Sequence, residues 1–223
     1  MSWLLNSSIG RKFIMALSGC ALILFLLFHM SINLVAIFSL QTYDDIAGLL
    51  GANWYAIVAS LGLGLLFVVH IIYATILTLQ NRKARGGDAY ASSSGTVVEW
   101  SSKNMFVLGL FLAAFLVIHL IQFWYKMQFS ELFHLEGAEP RGSVIILEVF
   151  KNPVWVIVYL IGIVALWFHL THGFWSMFHT VGWSGRTWLP RLKVIGNVVV
   201  TLICLGFAAL PIYFYARHML CPF

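Results

Sequence analysis

Charge is what this chain of 223 residues has least of. Asp, Glu, Lys and Arg together make up 9% of it, where a soluble domain carries about 25%. That deficit excludes a soluble globular enzyme, a disordered protein and a conventional nucleic-acid binder. Cysteine is scarce too. Cys20, Cys204 and Cys221 are scattered without metal-type spacing. Two sit in apolar runs and the third near the C-terminus, so they read as packing residues, not as disulfides or cluster ligands. There is no stretch that reads as a soluble domain, no internal repeat, and no low-complexity tract beyond the serines at 92–94. What is abundant is apolar sequence, 61% of the chain, with 18 Phe, 9 Trp and 8 Tyr suited to lipid-facing packing and interfacial belts.

The absence of charge is also local. No Asp, Glu, Lys or Arg occurs at 13–43, 46–81, 104–125, 152–185 or 194–216, gaps of 31, 36, 22, 34 and 23 residues. A membrane-spanning helix needs about 20 residues, so each gap holds one helix. The expectation is an all-α, polytopic membrane protein: a single integral membrane domain over 1–223 with helices near 12–40, 54–80, 104–126, 153–181 and 192–216. The first gap starts too late and runs too long for a cleaved signal peptide, so it should persist as a helix.

Basic residues set the orientation. Arg11, Lys12, Arg82, Lys83, Arg85, Lys103, Arg186, Arg191 and Lys193 fall on one side, while Lys126, Arg141, Lys151 and Arg217 fall on the other. Nine against four places the N-terminus in the cytoplasm, and this topology accounts for the net charge of +5 without a nucleic-acid partner. The acids lean the other way: Asp44, Asp45, Glu131, Glu136, Glu139 and Glu148 fall outside, with Asp88 and Glu99 inside. Residues 82–103 form a Gly/Ser-rich cytoplasmic loop. Residues 127–152 form an external loop whose apolar run SVIILEVF could lie along the interface. Gly182, Gly185 and Pro190 mark a tight cytoplasmic turn.

Against this background the histidines stand out. His29, His70, His119 and His169 lie deep in four different spans, where an ionisable residue marks a functional site by default. Helical rise gives their depth. His29 and His119 lie 17 and 16 residues past Lys12 and Lys103, roughly 25 and 24 Å. His70 lies 12 residues before Arg82 and His169 13 before Gly182, roughly 18 and 20 Å. The four therefore form two depth-matched pairs, one in each leaflet. Two facing imidazoles at one depth are what a b-type haem requires, and a helix bundle can supply them from facing helices. Two haem b stacked across the bilayer would form an electron wire.

One ligand stays open on depth alone, because His172, three residues after His169, could face the bundle as well. Asn33 and Gln122, one turn outward of His29 and His119, are polar groups placed for haem propionates or a quinone headgroup. Tyr73, Gln80, Ser176 and His179 could do the same on the cytoplasmic side, with Arg82 or Lys83 as counter-charges. Gly62, Gly64, Gly162 and Gly173 would permit close approach of helices or of a macrocycle.

Two stretches carry a family resemblance. Residues 9–34, IGRKFIMALSGCALILFLLFHMSINL, and 168–183, FHLTHGFWSMFHTVGW, resemble the cytochrome b558-type membrane anchors of succinate:menaquinone oxidoreductases and quinol:fumarate reductases. The resemblance extends to the five spans and the four histidines in helices one to four. In that family the helix-four ligand stands four residues before a glycine, which here is Gly173 and implies His169. The resemblance further implies that His70 and His169 hold a proximal haem nearer the cytoplasm, and His29 and His119 a distal one. It implies two partners on the cytoplasmic face, a flavoprotein carrying FAD and an iron–sulfur subunit. These would dock against 82–103, 182–193 and the N-terminal segment. Electrons would pass to or from menaquinone near the outer face, in the cytoplasmic (inner) membrane of a bacterium.

Some members carry a glutamate two residues before the helix-four ligand. Here that residue is Trp167, and no acid lies inside any span, which argues against the associated proton pathway. Asp44 and Asp45 are the carboxylates available after helix one, and one of them is expected to serve quinone protonation. Three other readings compete: the dihaem anchor of a hydrogenase or formate dehydrogenase, a proton-coupled transporter, and a purely structural anchor that has lost its haems, against which the four depth-matched histidines argue. The second would be expected to carry intramembrane charges or paired broken helices, which this chain lacks.

Overall fold

A computed structural model describes residues 7–51, 53–85, 100–183 and 185–221. Residues 86–99, which hold most of the Gly/Ser-rich loop with Asp88, Glu99 and the serine run, lie outside the described residues. No strand occurs among the residues described, and the chain is an all-α, multi-pass bundle. Its helices are α1 (Ser8–Phe38), α2 (Leu40–Leu49), α3 (Trp54–Arg85), α4 (Trp100–Leu132), α5 (Gly142–Phe150), α6 (Pro153–Thr180) and α7 (Trp188–Leu220). Five of them, α1, α3, α4, α6 and α7, are long and apolar enough to cross a membrane.

The helices are placed where the charge gaps put them, but most run past the gaps. α3 continues through Arg82 and Lys83, and α4 begins at Trp100, ahead of Lys103. Backbone hydrogen bonding does not stop where the hydrocarbon stops, and long basic side chains reach back to the interface.

Local chemistry explains the boundaries. Ser7 caps α1 by accepting from Gly10 N–H at 2.9 Å. Ser39 has extended backbone, closes α1, and its hydroxyl opens α2 by accepting from Thr42 N–H. Asn152 caps α6 ahead of Pro153, the pairing favoured at helix starts. The same helix ends in a Schellman motif. Gly182 takes φ +95°, its N–H reaches His179 O, and Trp183 N–H reaches Phe178 O. Pro190 falls in the first turn of α7, where a missing N–H costs least.

Several features were not visible in the sequence. The external loop is shorter than expected, because α4 runs on to Leu132. Directly after His119, residues Leu120–Phe129 adopt a π-helical path, with Ser130 N–H reaching Tyr125 O. Widened turns of this kind concentrate at functional sites. The SVIILEVF run forms a helix, α5, and one face of it is packed inward. Ile145 and Ile146 are almost fully buried, against Tyr43 of α2, Tyr159 of α6 and Phe214 of α7.

The spanning helices α1, α3, α4 and α6 form a ring in which α1 packs on α3, α3 on α4, α4 on α6 and α6 on α1. α1 and α4 are thus diagonal, as are α3 and α6. α7 packs outside the ring against α6 and α1. A buried cluster of Ile23, Ile163, Leu170, Val200 and Cys204 lies on that outer side. Cys204 is therefore a packing residue as expected, whereas Cys221 is exposed and packing does not account for it. One end of the bundle carries Arg11, Lys12, Arg82, Lys83, Lys103, Arg186, Arg191 and Lys193. This is called the basic end below, and the opposite end, with Asp44, Asp45 and Glu131, the acidic end.

Candidate cofactor site within the bundle

Diagonal helices meet through their histidines. His29 of α1 and His119 of α4 have ring centroids 5.8 Å apart with planes at 86°. His70 of α3 and His169 of α6 have centroids 6.4 Å apart with planes at 64°. All four rings are half-buried.

The spacing between the pairs can be read along three helices. On α1, Ser18 lies against His70 and His29 is 11 residues further on, about 16 Å. On α4, Gly109 faces His169 and His119 follows 10 residues later, about 15 Å. On α6, Tyr159 touches His119 and His169 is 10 residues away, again about 15 Å. The two pairs are stacked along the bundle axis, with His70/His169 nearer the basic end.

The surroundings differ between the pairs. His29 stacks on Phe25 at 5.4 Å and lies 5.8 Å from Phe207, while His119 lies 5.2 Å from Phe123 and 6.1 Å from Tyr159. This is an aromatic cage. The other pair is framed by small residues. A Cβ added at Gly19 would lie 3.5 Å from His70 Cε1, and one at Gly109 3.5 Å from His169 Cε1. These two glycines face the His70 and His169 rings, and sequence reasoning missed them. Of the glycines it chose, Gly62 and Gly64 face open space, Gly173 lies near Met105, and Gly162 receives the Phe115 ring.

The polar candidates fall out unevenly. Asn33 Nδ2 donates to His29 O at 2.8 Å and lies 3.4 Å from its Nδ1. Gln122 Oε1 accepts from Tyr159 Oη at 2.8 Å, and Tyr159 Oη lies 3.4 Å from His119 Nδ1. Both amides therefore belong to the acidic-end pair. His172 is turned against Trp175, ring centroids 4.8 Å apart, and His179 is exposed at the end of α6. Asp44 is bound to Ser143 of α5, and Asp45 is exposed with Gln41 donating to it. Tyr43, next to Asp44, has its hydroxyl pushed up to about 12 by burial and by the neighbouring carboxylate, and it lies 3.5 Å from Asn33 Oδ1.

The donor set decides what could bind between the rings. A metal–imidazole bond is about 2 Å, and the ring centre lies roughly 1 Å further out, so two axial imidazoles on one ion have centroids about 6 Å apart. Both pairs have that separation. Among the described residues, no three His, Cys, Asp or Glu come together as a metal-ion cluster. A bare ion held by two imidazoles would lack ligands. An ion that brings its own four equatorial nitrogens, as in a tetrapyrrole, needs two and no more. The residues present thus fit a haem at each pair.

Compared with models of known protein families, with curated proteins and with solved structures, the chain finds no match.

Proposed function

We propose that this chain is the dihaem cytochrome b anchor of a succinate:menaquinone oxidoreductase or quinol:fumarate reductase, in the cytoplasmic membrane of a bacterium. The observation that carries the reading is the meeting of four intramembrane histidines as two diagonal pairs about 15 Å apart. His70 and His169 would hold the haem nearer the basic end, and His29 and His119 the one nearer the acidic end. Haem b with two axial imidazoles supplies one-electron transfer without an open iron position.

The chain's own residues do the rest. The aromatic cage of Phe25, Phe123, Phe207 and Tyr159 keeps water from the acidic-end pair. Asn33 and Gln122 are the amides available there to a propionate or a menaquinone carbonyl. The basic end offers the cationic face on which an iron–sulfur subunit, and through it an FAD-bearing flavoprotein, would dock. The wording of residues 9–34 and 168–183 favours these partners over those of a hydrogenase or formate dehydrogenase.

The test is a dithionite-reduced-minus-oxidised spectrum with haem quantified per chain. It would be run on wild type and on His29→Ala, His70→Ala, His119→Ala and His169→Ala. The expected outcome is two b haems, with His29 and His119 variants losing one and His70 and His169 variants the other, while His172→Ala keeps both. A colourless wild type would overturn the reading in favour of a proton-relay transporter. Co-purification with a partner that lacks flavin would move it to another dehydrogenase.

A further inference from the structure

A neutral imidazole has one N–H and one lone pair, and only the lone-pair nitrogen binds a metal. Which nitrogen that is depends on the partner of the other. At His70 the partner is a hydroxyl. Ser18 Oγ lies 3.0 Å from Met15 O and 3.0 Å from His70 Nδ1. A carbonyl can only accept, so both contacts are hydrogen bonds together only when the single hydroxyl proton goes to Met15. The oxygen then accepts the Nδ1–H of His70, and Nε2 keeps the lone pair.

The second pair repeats the arrangement with different residues. Tyr159 Oη donates to Gln122 Oε1 at 2.8 Å and lies 3.4 Å from His119 Nδ1. With its proton committed to the amide oxygen, it accepts the Nδ1–H of His119. Among the described residues, the remaining two rings have no such anchor. His29 has only the Asn33 amide nitrogen near its ring nitrogens, at 3.4 and 3.5 Å, and His169 Nδ1 is buried without a hydrogen-bond partner. Each pair thus contains one ring held by a hydroxyl from another helix and one ring that is not.

We propose that Ser18 and Tyr159 are positioning residues that fix His70 and His119 in the Nδ1–H tautomer, leaving Nε2 to bind the metal. The redox consequence rests on the dihaem reading. A hydrogen bond accepted from Nδ1–H makes the ligand more basic, which favours the ferric state and lowers the midpoint potential.

The experiment compares wild type with Ser18→Ala, Ser18→Thr and Tyr159→Phe, by optical redox titration and haem per chain. Ser18→Ala should shift one of the two transitions to higher potential and leave the other in place. Tyr159→Phe should shift the other one. Ser18→Thr, which keeps the hydroxyl, should match wild type. A tenfold change in the one-electron equilibrium is about 59 mV, and a shift of that order is expected. Unchanged potentials in both alanine and phenylalanine variants would overturn the proposal, as would both transitions moving together in each.

A second readout does not need haem. In the ¹⁵N-histidine NMR spectrum of the haem-free chain, His70 and His119 should be protonated at Nδ1. That preference should be lost on Ser18→Ala for His70 and on Tyr159→Phe for His119. If wild type binds no haem, the dihaem reading fails, and the tautomer assignment still stands or falls on this spectrum.

Discussion

Asp44 of α2 accepts two hydrogen bonds from a single residue of α5, Ser143, one from its backbone N–H at 2.8 Å and one from its hydroxyl at 2.5 Å. The reason lies in α5 itself. Its N-cap is Arg141, which makes no capping bond, so the helix starts with open N–H groups. A carboxylate 99 residues earlier supplies the cap and places negative charge at the positive end of the helix. Asp44→Ala should therefore destabilise the protein by about 1–3 kcal/mol, read as a lower Tm in detergent. Asp45→Ala, which removes an exposed side chain, should not. Equal Tm for the two variants would show that the cap contributes nothing. Replacing both carboxylates and finding unchanged menaquinone kinetics would remove them from quinone protonation.

Tyr43 links the same joint to the acidic-end histidine pair, through Asn33, and gives a pH signature. Its ring fills the space that a side chain at residue 142 would need, and its hydroxyl lies near Asn33. The hydroxyl is raised from 10.0 to about 12 by burial and then by Asp44. Because the folded value is the higher one, the contribution to stability is full below pH 10 and is lost as pH rises from 10 toward 12. Tyr43→Phe removes the titrating group and leaves the other tyrosines in place. Wild type should therefore lose stability more steeply than Tyr43→Phe between pH 10 and 12 in denaturation followed by tryptophan fluorescence. Parallel slopes would mean that the hydroxyl is not held neutral by the fold.

How much of this was written in the sequence depends on the scale at which each feature is encoded. The spans were legible because hydrocarbon excludes charge, and charge is easy to see missing. α2 was hidden because its segment LQTYDDIAGL carries two acids and reads as a loop, yet it is held by Ser39 at its start and by contact with α5. α5 was legible as an apolar run, but not its destination, which is set by the space between α2, α6 and α7. The four histidines were legible as ionisable groups in apolar surroundings, and depth grouped them. Their placement on diagonal helices follows from the ring order of the bundle, which no single helix encodes. Ser18 and Tyr159 gave no signal. Hydroxyls are common in spanning helices, and their role appears only through a neighbour 52 residues away for Ser18 and 40 for Tyr159. The π-helical turn after His119 likewise has no marker in LIQFWYKMQF.

The glycines separate packing from permissiveness, and a substitution series can measure it. A Cβ at Gly162 would lie 2.6 Å from Phe115 Cε2 and 2.9 Å from its Cγ, which no real contact allows. Phe115 has little room to retreat, since its ring lies 5.2 Å from Tyr159 and 6.5 Å from His119. Gly162→Ala should therefore cost about 1–3 kcal/mol by overpacking. It should also disturb the acidic-end pair, seen, on the dihaem proposal, as partial loss of the haem that His29→Ala would remove. Among the described residues, no packing neighbour comes within 4 Å of a Cβ added at Gly62 or Gly64. Alanine there should be neutral or stabilise by up to about 1 kcal/mol through helix propensity. Gly109→Ala meets His169 at ordinary contact distance; on the dihaem proposal it should keep the basic-end haem, whereas Gly109→Leu should displace the ring and lose it. If Gly162→Ala matched Gly62→Ala in Tm and haem content, close packing of α6 on Phe115 would not be what holds Tyr159 against His119.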